Sequence, residues 1–170
     1  MKDYPIKIYI AGKITGNRNY KLEFANLAAW IHLWYPNAVI LNPATLPEGM
    51  TAADYMRICL AMIDSADLVV FGVKAEDSKG AKLEKDYCEY IDKTYITVTK
   101  KPTFIVHCPE CKHKPDIGYE SPNYYLIDSD TNCPVCGSFT KMTDRETDIV
   151  NAWNIYAAAH YTLKRKKGDR

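Results

Sequence analysis

Along residues 1–102, short β-branched runs alternate with segments whose apolar residues recur every third or fourth position. Ile6-Lys7-Ile8-Tyr9-Ile10 predicts a first strand, followed by a loop from Ala11 to Asn19. Phe24, Leu27, Ala28, Ile31 and Trp34 fall on one helical face and predict a helix over Tyr20 to Trp34. Val39-Ile40-Leu41 predicts a second strand, stopped by Asn42-Pro43. Tyr55, Cys59, Met62 and Ile63 predict a helix from Thr51 to Asp64. A strand at Leu68-Val69-Val70-Phe71-Gly72-Val73, a helix from Lys79 to Asp92 and a strand at Tyr95-Ile96-Thr97-Val98 complete the series. This alternation predicts a small α/β domain, a doubly wound, flavodoxin- or Rossmann-like parallel sheet of about four strands. The loops after the first and third strands should meet at a switch point, with Gly12 to Gly16 and Ser78 to Glu84 on opposite sides of one crevice.

Past Lys100-Lys101-Pro102 the pattern changes. Residues 103–142 have little helical periodicity and carry four of the six cysteines among Pro, Gly and Asn turn residues. Cys108-Pro109-Glu110-Cys111 and Cys133-Pro134-Val135-Cys136-Gly137 form two C-x-x-C knuckles. Two such knuckles offer four thiolates in the tetrahedral set that structural zinc favours, so Cys108, Cys111, Cys133 and Cys136 are candidate Zn²⁺ ligands of a ribbon. His107 and His113 flank the first knuckle but are not needed to complete the shell. Tyr119, Tyr124 and Tyr125 are available to stack on bases, yet packing the ribbon's own strands is their commoner use. From 143 to 170, Thr143-Asp144-Arg145-Glu146 reads as a capping box. Ile149, Trp153, Tyr156, His160 and Leu163 then share one face of an amphipathic helix that ends in a basic tail. The expected organisation is therefore 1–102, 103–142 and 143–170.

Composition narrows the function classes. The 170 residues carry a formal net charge of +1, so nucleic-acid binding would have to be local, through the ribbon or the tail. No run is long and apolar enough for a membrane span and no signal-peptide layout opens the chain, which predicts a cytoplasmic protein with no membrane partner. In that compartment clustered cysteines point to metal before disulfide.

The candidate chemistry lies at Ser78-Lys79-Gly80-Ala81-Lys82-Leu83-Glu84, directly after the third strand. Ser78 is placed to cap the helix, whose free amides suit a phosphate, and Glu84 faces the same crevice further along. Gly12 and Gly16 would let backbone approach a ligand, and Lys13 and Thr15 add a charge and a hydroxyl. Alone, Glu84 is ordinarily a solvated helix residue and Tyr9 a strand aromatic. Asp67 reads as the start of its strand, Cys88 as core, and His32 and His160 as helix-face residues.

Three segments together resemble the nucleoside 2-deoxyribosyltransferase-like superfamily. They are Ile8-Tyr9-Ile10-Ala11-Gly12-Lys13-Ile14-Thr15-Gly16, Asn42-Pro43-Ala44-Thr45-Leu46-Pro47, and Ser65-Ala66-Asp67-Leu68-Val69-Val70 running into Ser78-x-Gly80-Ala81-x-x-Glu84. The similarity is greatest to a small phage and bacterial branch of unknown function and spans roughly the first hundred residues. The resemblance implies an N-glycosidase or deoxyribosyl transferase acting on a nucleoside or nucleoside 5′-monophosphate. In it the glutamate matching Glu84 attacks the anomeric carbon, the tyrosine matching Tyr9 orients that carboxylate, and the serine matching Ser78 binds the 5′-phosphate. It also implies a homodimer, since related proteins build sites at subunit contacts. The chain departs from the pattern at Cys59, where active enzymes carry an aspartate that contacts the base; Arg57 is a candidate anion ligand beside it. The alternative function is a non-catalytic nucleotide sensor or adaptor whose ribbon binds a protein or nucleic-acid partner.

Overall fold

The computed structural model describes residues 5–72, 74–98, 108, 110–112, 116–120, 123–127, 142–143, 150–159 and 162. The chain divides into two compact units, Met1–Val98 and Thr99–Arg170.

In the first unit, β1 (Lys7–Ala11), β2 (Val39–Leu41), β3 (Leu68–Phe71) and β4 (Tyr95–Thr97) form a wholly parallel sheet in the order β2-β1-β3-β4. The helices α1 (Tyr20–Trp34), α2 (Ala52–Ser65) and α3 (Lys79–Tyr90) are the connections. With right-handed crossovers, the step back from β1 to β2 puts α1 on one face, while the forward steps put α2 and α3 together on the other. The α/β expectation is met, and β1 and β3 are the central neighbours whose following loops adjoin.

Period-two burial explains the layers. Tyr9, Ala11, Val69 and Phe71 point to the α2/α3 side, where they pack with Cys59, Ile63, Ala81 and Cys88. Ile8, Ile10, Leu68 and Val70 take the opposite face, and all four are fully buried. Because β1 and β3 are covered on both faces, they read as near-continuous apolar runs. Asp67 sits at the start of β3, where its Oδ2 accepts the Lys7 amide at 2.9 Å, the strand-fixing role expected from the sequence. Two short 3-10 turns, Pro43–Thr45 and Ala75–Asp77, were not foreseen. The first follows from Asn42-Pro43, since Asn42 Oδ1 accepts the Ala44 amide at 2.9 Å.

In the second unit, β5 (Asp116–Glu120) and β6 (Asn123–Ile127) make an antiparallel hairpin, and β7 (Met142–Thr143) pairs with β6. Tyr119 and Tyr124 are paired positions in that hairpin. Thr143, the expected helix cap, belongs to β7, and the segment 144–149 lies outside the described residues. Residues 150–159 are helical, and every residue from Val150 to Ile155 is buried. Burial therefore runs around the helix instead of along one apolar stripe. That differs from the amphipathic pattern, and the buried Asn151 and Asn154 are its polar exceptions.

Candidate active site

Glu84 is the anomaly from which the site is built. The inward face of α3 is Ala81, Glu84 and Cys88, the i, i+3, i+7 spacing of a core stripe, and Glu84 puts a carboxylate in it at 6% exposure. A buried carboxylate must find hydrogen-bond donors. One comes from the centre of the sheet: the Tyr9 hydroxyl donates to Glu84 Oε1 at 2.9 Å, across 75 positions of sequence. Cys59 on α2 lies in the same buried cluster as Tyr9 and lines the same cavity as Glu84.

Burial dominates the electrostatics. Desolvation pushes Glu84 up to about 7, against the pull of the Tyr9 hydrogen bond and the nearby Cys59 thiol toward the ionised form. Desolvation, reinforced by the neighbouring carboxylate, holds Tyr9 well above the usual phenol range and lifts Cys59 to about 11. Tyr9 and Cys59 therefore remain protonated, while Glu84 changes charge near neutral pH. Replacing Tyr9 with phenylalanine removes one stabiliser of the carboxylate, so the Glu84 titration is expected to move to still higher pH. A carbon-13-edited NMR titration of labelled glutamate would read this; an unmoved midpoint would mean that the hydroxyl does not support the ionised form.

Glu84 lies on the wall of a cavity of about 940 Å³ at the C-terminal ends of the strands. Lys13 and Thr15 from the loop after β1 line one side, and Ser78, Lys79 and Gly80 from the start of α3 line another. The crevice expected from the strand order is therefore present. Ser78 is the cap of α3, with its Oγ accepting the Ala81 amide at 3.2 Å. Among the described residues no acceptor takes the amides of Lys79 and Gly80. A Cβ on Gly80 would meet nothing closer than Met56 Cε at 3.6 Å, so protein packing does not require glycine there. Its bare backbone is an open stretch of cavity wall.

Three expected residues are placed as follows. Gly12 borders the cavity as expected, and a Cβ there would come within 3.1 Å of the Phe24 ring, so packing on α1 also favours glycine. Gly16, at φ +73°, makes a left-handed turn and is not on the cavity wall. Arg57 is also absent from the wall: it is exposed and pairs with Asp54 at 2.9 Å, one turn back on α2. Sequence reasoning missed the apolar part of the cavity, made by Tyr20, Leu46, Met50, Tyr55 and Met56. Tyr55 entered only as part of the helical pattern of α2; its hydroxyl donates to the Pro47 carbonyl at 2.8 Å and ties the loop after β2 over that helix.

Of the expected zinc ligands, Cys108 is buried and Cys111 half-buried, whereas Cys133 and Cys136 lie outside the described residues. Lys112, directly after the first knuckle, has φ +63°, and its amide donates to the Cys108 carbonyl at 3.0 Å. That turn brings the Cys108 and Cys111 backbones round on one another. Among the described residues no group of three or more metal-ligating side chains assembles. Nor, among them, is any helix long and apolar enough to cross a membrane.

No curated protein matches the chain. Its structure is similar to that of the 2-desoxiribosyltransferase from Leishmania mexicana, at 21% identity and a TM-score of 0.47, over 59% of this chain and 69% of that one. A family model described as "Domain of unknown function (DUF4406)" matches residues 6–98, the β1 to β4 unit that carries the cavity and more than half of the chain. The chain belongs to that family.

Proposed function

We infer that the first unit cleaves the N-glycosidic bond of a nucleoside or nucleoside 5′-monophosphate, with Glu84 as the nucleophile. The observation that carries this reading is the Tyr9–Glu84 hydrogen bond, 2.9 Å long and buried, at the edge of a cavity large enough for a nucleotide. Its chemistry is double displacement at the anomeric carbon. The Glu84 carboxylate attacks C1′ as the C1′–N bond breaks, and the sugar becomes an ester of Glu84. Water, or a second base, then attacks C1′ and returns the carboxylate. Tyr9 donates to the carboxylate throughout, which fixes its rotamer and favours the charged form that attacks and is regenerated. The aromatic and methionine side chains of the opposite wall suit a planar base, and the uncapped amides of α3 suit a phosphate.

The test is chromatographic detection of free base from a panel of ribo- and deoxyribonucleoside 5′-monophosphates, with and without an acceptor base. Release by the wild type supports the reading and names the substrate. No release from any member counts against it and favours a nucleotide-binding adaptor. Ser78→Ala is expected to cost about 1 kcal/mol of stability through the lost cap. It should also raise KM for 5′-phosphorylated substrates more than for the parent nucleosides. An equal effect on both would remove Ser78 from the phosphate site.

In the second unit, Cys108, Cys111, Cys133 and Cys136 would hold one zinc ion as a structural staple, a role that adds folding free energy. The turn at Lys112 is compatible with such a knuckle. Elemental analysis of the purified chain is expected to find about one zinc per molecule, lost on changing Cys108 or Cys133 to serine. A zinc-free wild type, purified without chelator, would refute the ribbon.

A further inference from the structure

Glu84 is buried at 6% exposure on the cavity wall, and among the described residues no ion pair joins it to a cation. Its hydrogen-bond partner among them is the Tyr9 hydroxyl, a neutral donor. Lys13 and Lys79 lie on the same cavity wall, but neither is within ion-pair distance of Glu84. An ionised carboxylate held this way lacks a counter-charge, and a cation arriving with the substrate would supply one.

A second feature concerns the departing base. A neutral purine or pyrimidine leaves well only if an acid protonates it, ordinarily a carboxylic acid kept neutral by burial. Among the described residues the cavity wall has two carboxyl groups besides Glu84, and both are exposed. Glu48 is salt-bridged to Lys21 at 2.6 Å, and that ammonium holds it below the usual carboxylate range, as an anion. Asp77 stands in the exposed turn just before Ser78, among the groups assigned above to phosphate. The other proton donors on the wall are hydroxyl, thiol and ammonium groups, all much weaker acids than a carboxylic acid. Among the described residues the cavity thus has a nucleophile and no second buried carboxyl group to serve as acid for the leaving group.

We propose that the substrate's leaving group is a quaternised, cationic nitrogen heterocycle, an N-alkylpurinium or a pyridinium nucleotide, instead of a neutral base. The proposal rests on the glycosidase reading of Glu84. Glu84 forms the new C1′–O bond as the C1′–N⁺ bond breaks, and that bond's electron pair neutralises the ring nitrogen. The heterocycle leaves uncharged, with no proton required. Water then attacks C1′, the ester C1′–O bond returns its pair to Glu84, and the water's proton passes to solvent. One positive charge enters with the substrate and one proton leaves.

Matched substrates test this with the full-length wild type and Glu84→Gln. The first pair is 7-methylguanosine 5′-monophosphate against guanosine 5′-monophosphate, which share sugar, phosphate and purine; the same pair is run in the 2′-deoxy series. The second is nicotinamide mononucleotide against uridine 5′-monophosphate. A general acid contributes about a hundredfold or more, so a site without one should keep the cationic member ahead by at least about that factor in kcat/KM. All release should depend on Glu84. Cleavage of only one cationic probe supports the proposal and selects purinium or pyridinium. Neutral substrates cleaved within about tenfold of their cationic partners, with Glu84→Gln inactive on both, would overturn the proposal and leave the glycosidase reading intact. No release from any probe, neutral or cationic, would overturn both.

Discussion

Replacing Glu84 with glutamine is expected to reduce base release by at least about a thousandfold, the scale on which loss of a covalent nucleophile is felt. The amide is nearly isosteric and keeps an oxygen for the Tyr9 hydroxyl, which now donates at 2.9 Å. Ligand affinity should therefore change little, so the defect belongs in kcat and not in KM. Retained binding is what separates a lost nucleophile from a collapsed cavity. If calorimetry showed nucleotide binding lost together with turnover, Glu84 would be a residue that shapes the cavity. If turnover survived the substitution, another group would be doing the chemistry.

The second large effect is on pH dependence, in which activity and stability move in opposite directions. Burial raises Glu84 from an ordinary value of 4.5 to about 7 in the folded chain. The folded state therefore holds the proton more tightly than the unfolded state does. Its stabilising contribution is complete below pH 4.5, declines as pH rises toward 7, and is lost just above that value. The span corresponds to roughly 3 kcal/mol, or about 15 °C in Tm for a unit of this size. Attack needs the ionised form, so kcat/KM should climb about tenfold per pH unit on the acid side and level off above about 7. The Glu84→Gln chain has no proton to lose at this position, so its Tm should stay nearly flat between pH 5 and 8 while the wild type declines. Parallel melting curves for the two proteins would contradict the assignment. A carboxylate held in a dry site at a cost in stability fits a functional position better than a packing one.

Local pattern was enough for the elements. Phe24, Leu27 and Ile31 carry the period of α1, and the Ser78 cap marks the start of α3 at Lys79. The strand order followed from alternation and short connections, because a parallel sheet leaves few topologies open. The pairing of Tyr9 with Glu84 is different in kind. Nothing in a strand pattern or a helix pattern says which strand residue meets which helix residue, and that contact was reached through the resemblance alone. Arg57 shows the opposite failure. It lies two positions before Cys59, which on an α-helix is about 200° around the axis, so a buried Cys59 turns Arg57 to solvent. At Gly12 the cavity position was legible but the tight packing behind it was not, because that depends on a distant neighbour, the Phe24 ring. The apolar wall was missed because Leu46, Met50, Tyr55 and Met56 lie on a loop and a helix whose approach depends on tertiary contacts such as Tyr55 to Pro47.

The central claim is a covalent bond between Glu84 and C1′, and the most direct measurement is to trap it. A 2′-deoxy-2′-fluoro nucleotide carrying a good leaving group destabilises the cationic transition state of both steps, while the leaving group keeps the first step accessible. Incubation with the wild type should give an intact-mass increase equal to one fluorosugar phosphate per chain, and peptide mapping should place it on Glu84. An adduct on any other residue, or steady turnover of normal substrate that survives Glu84→Gln, would contradict the account.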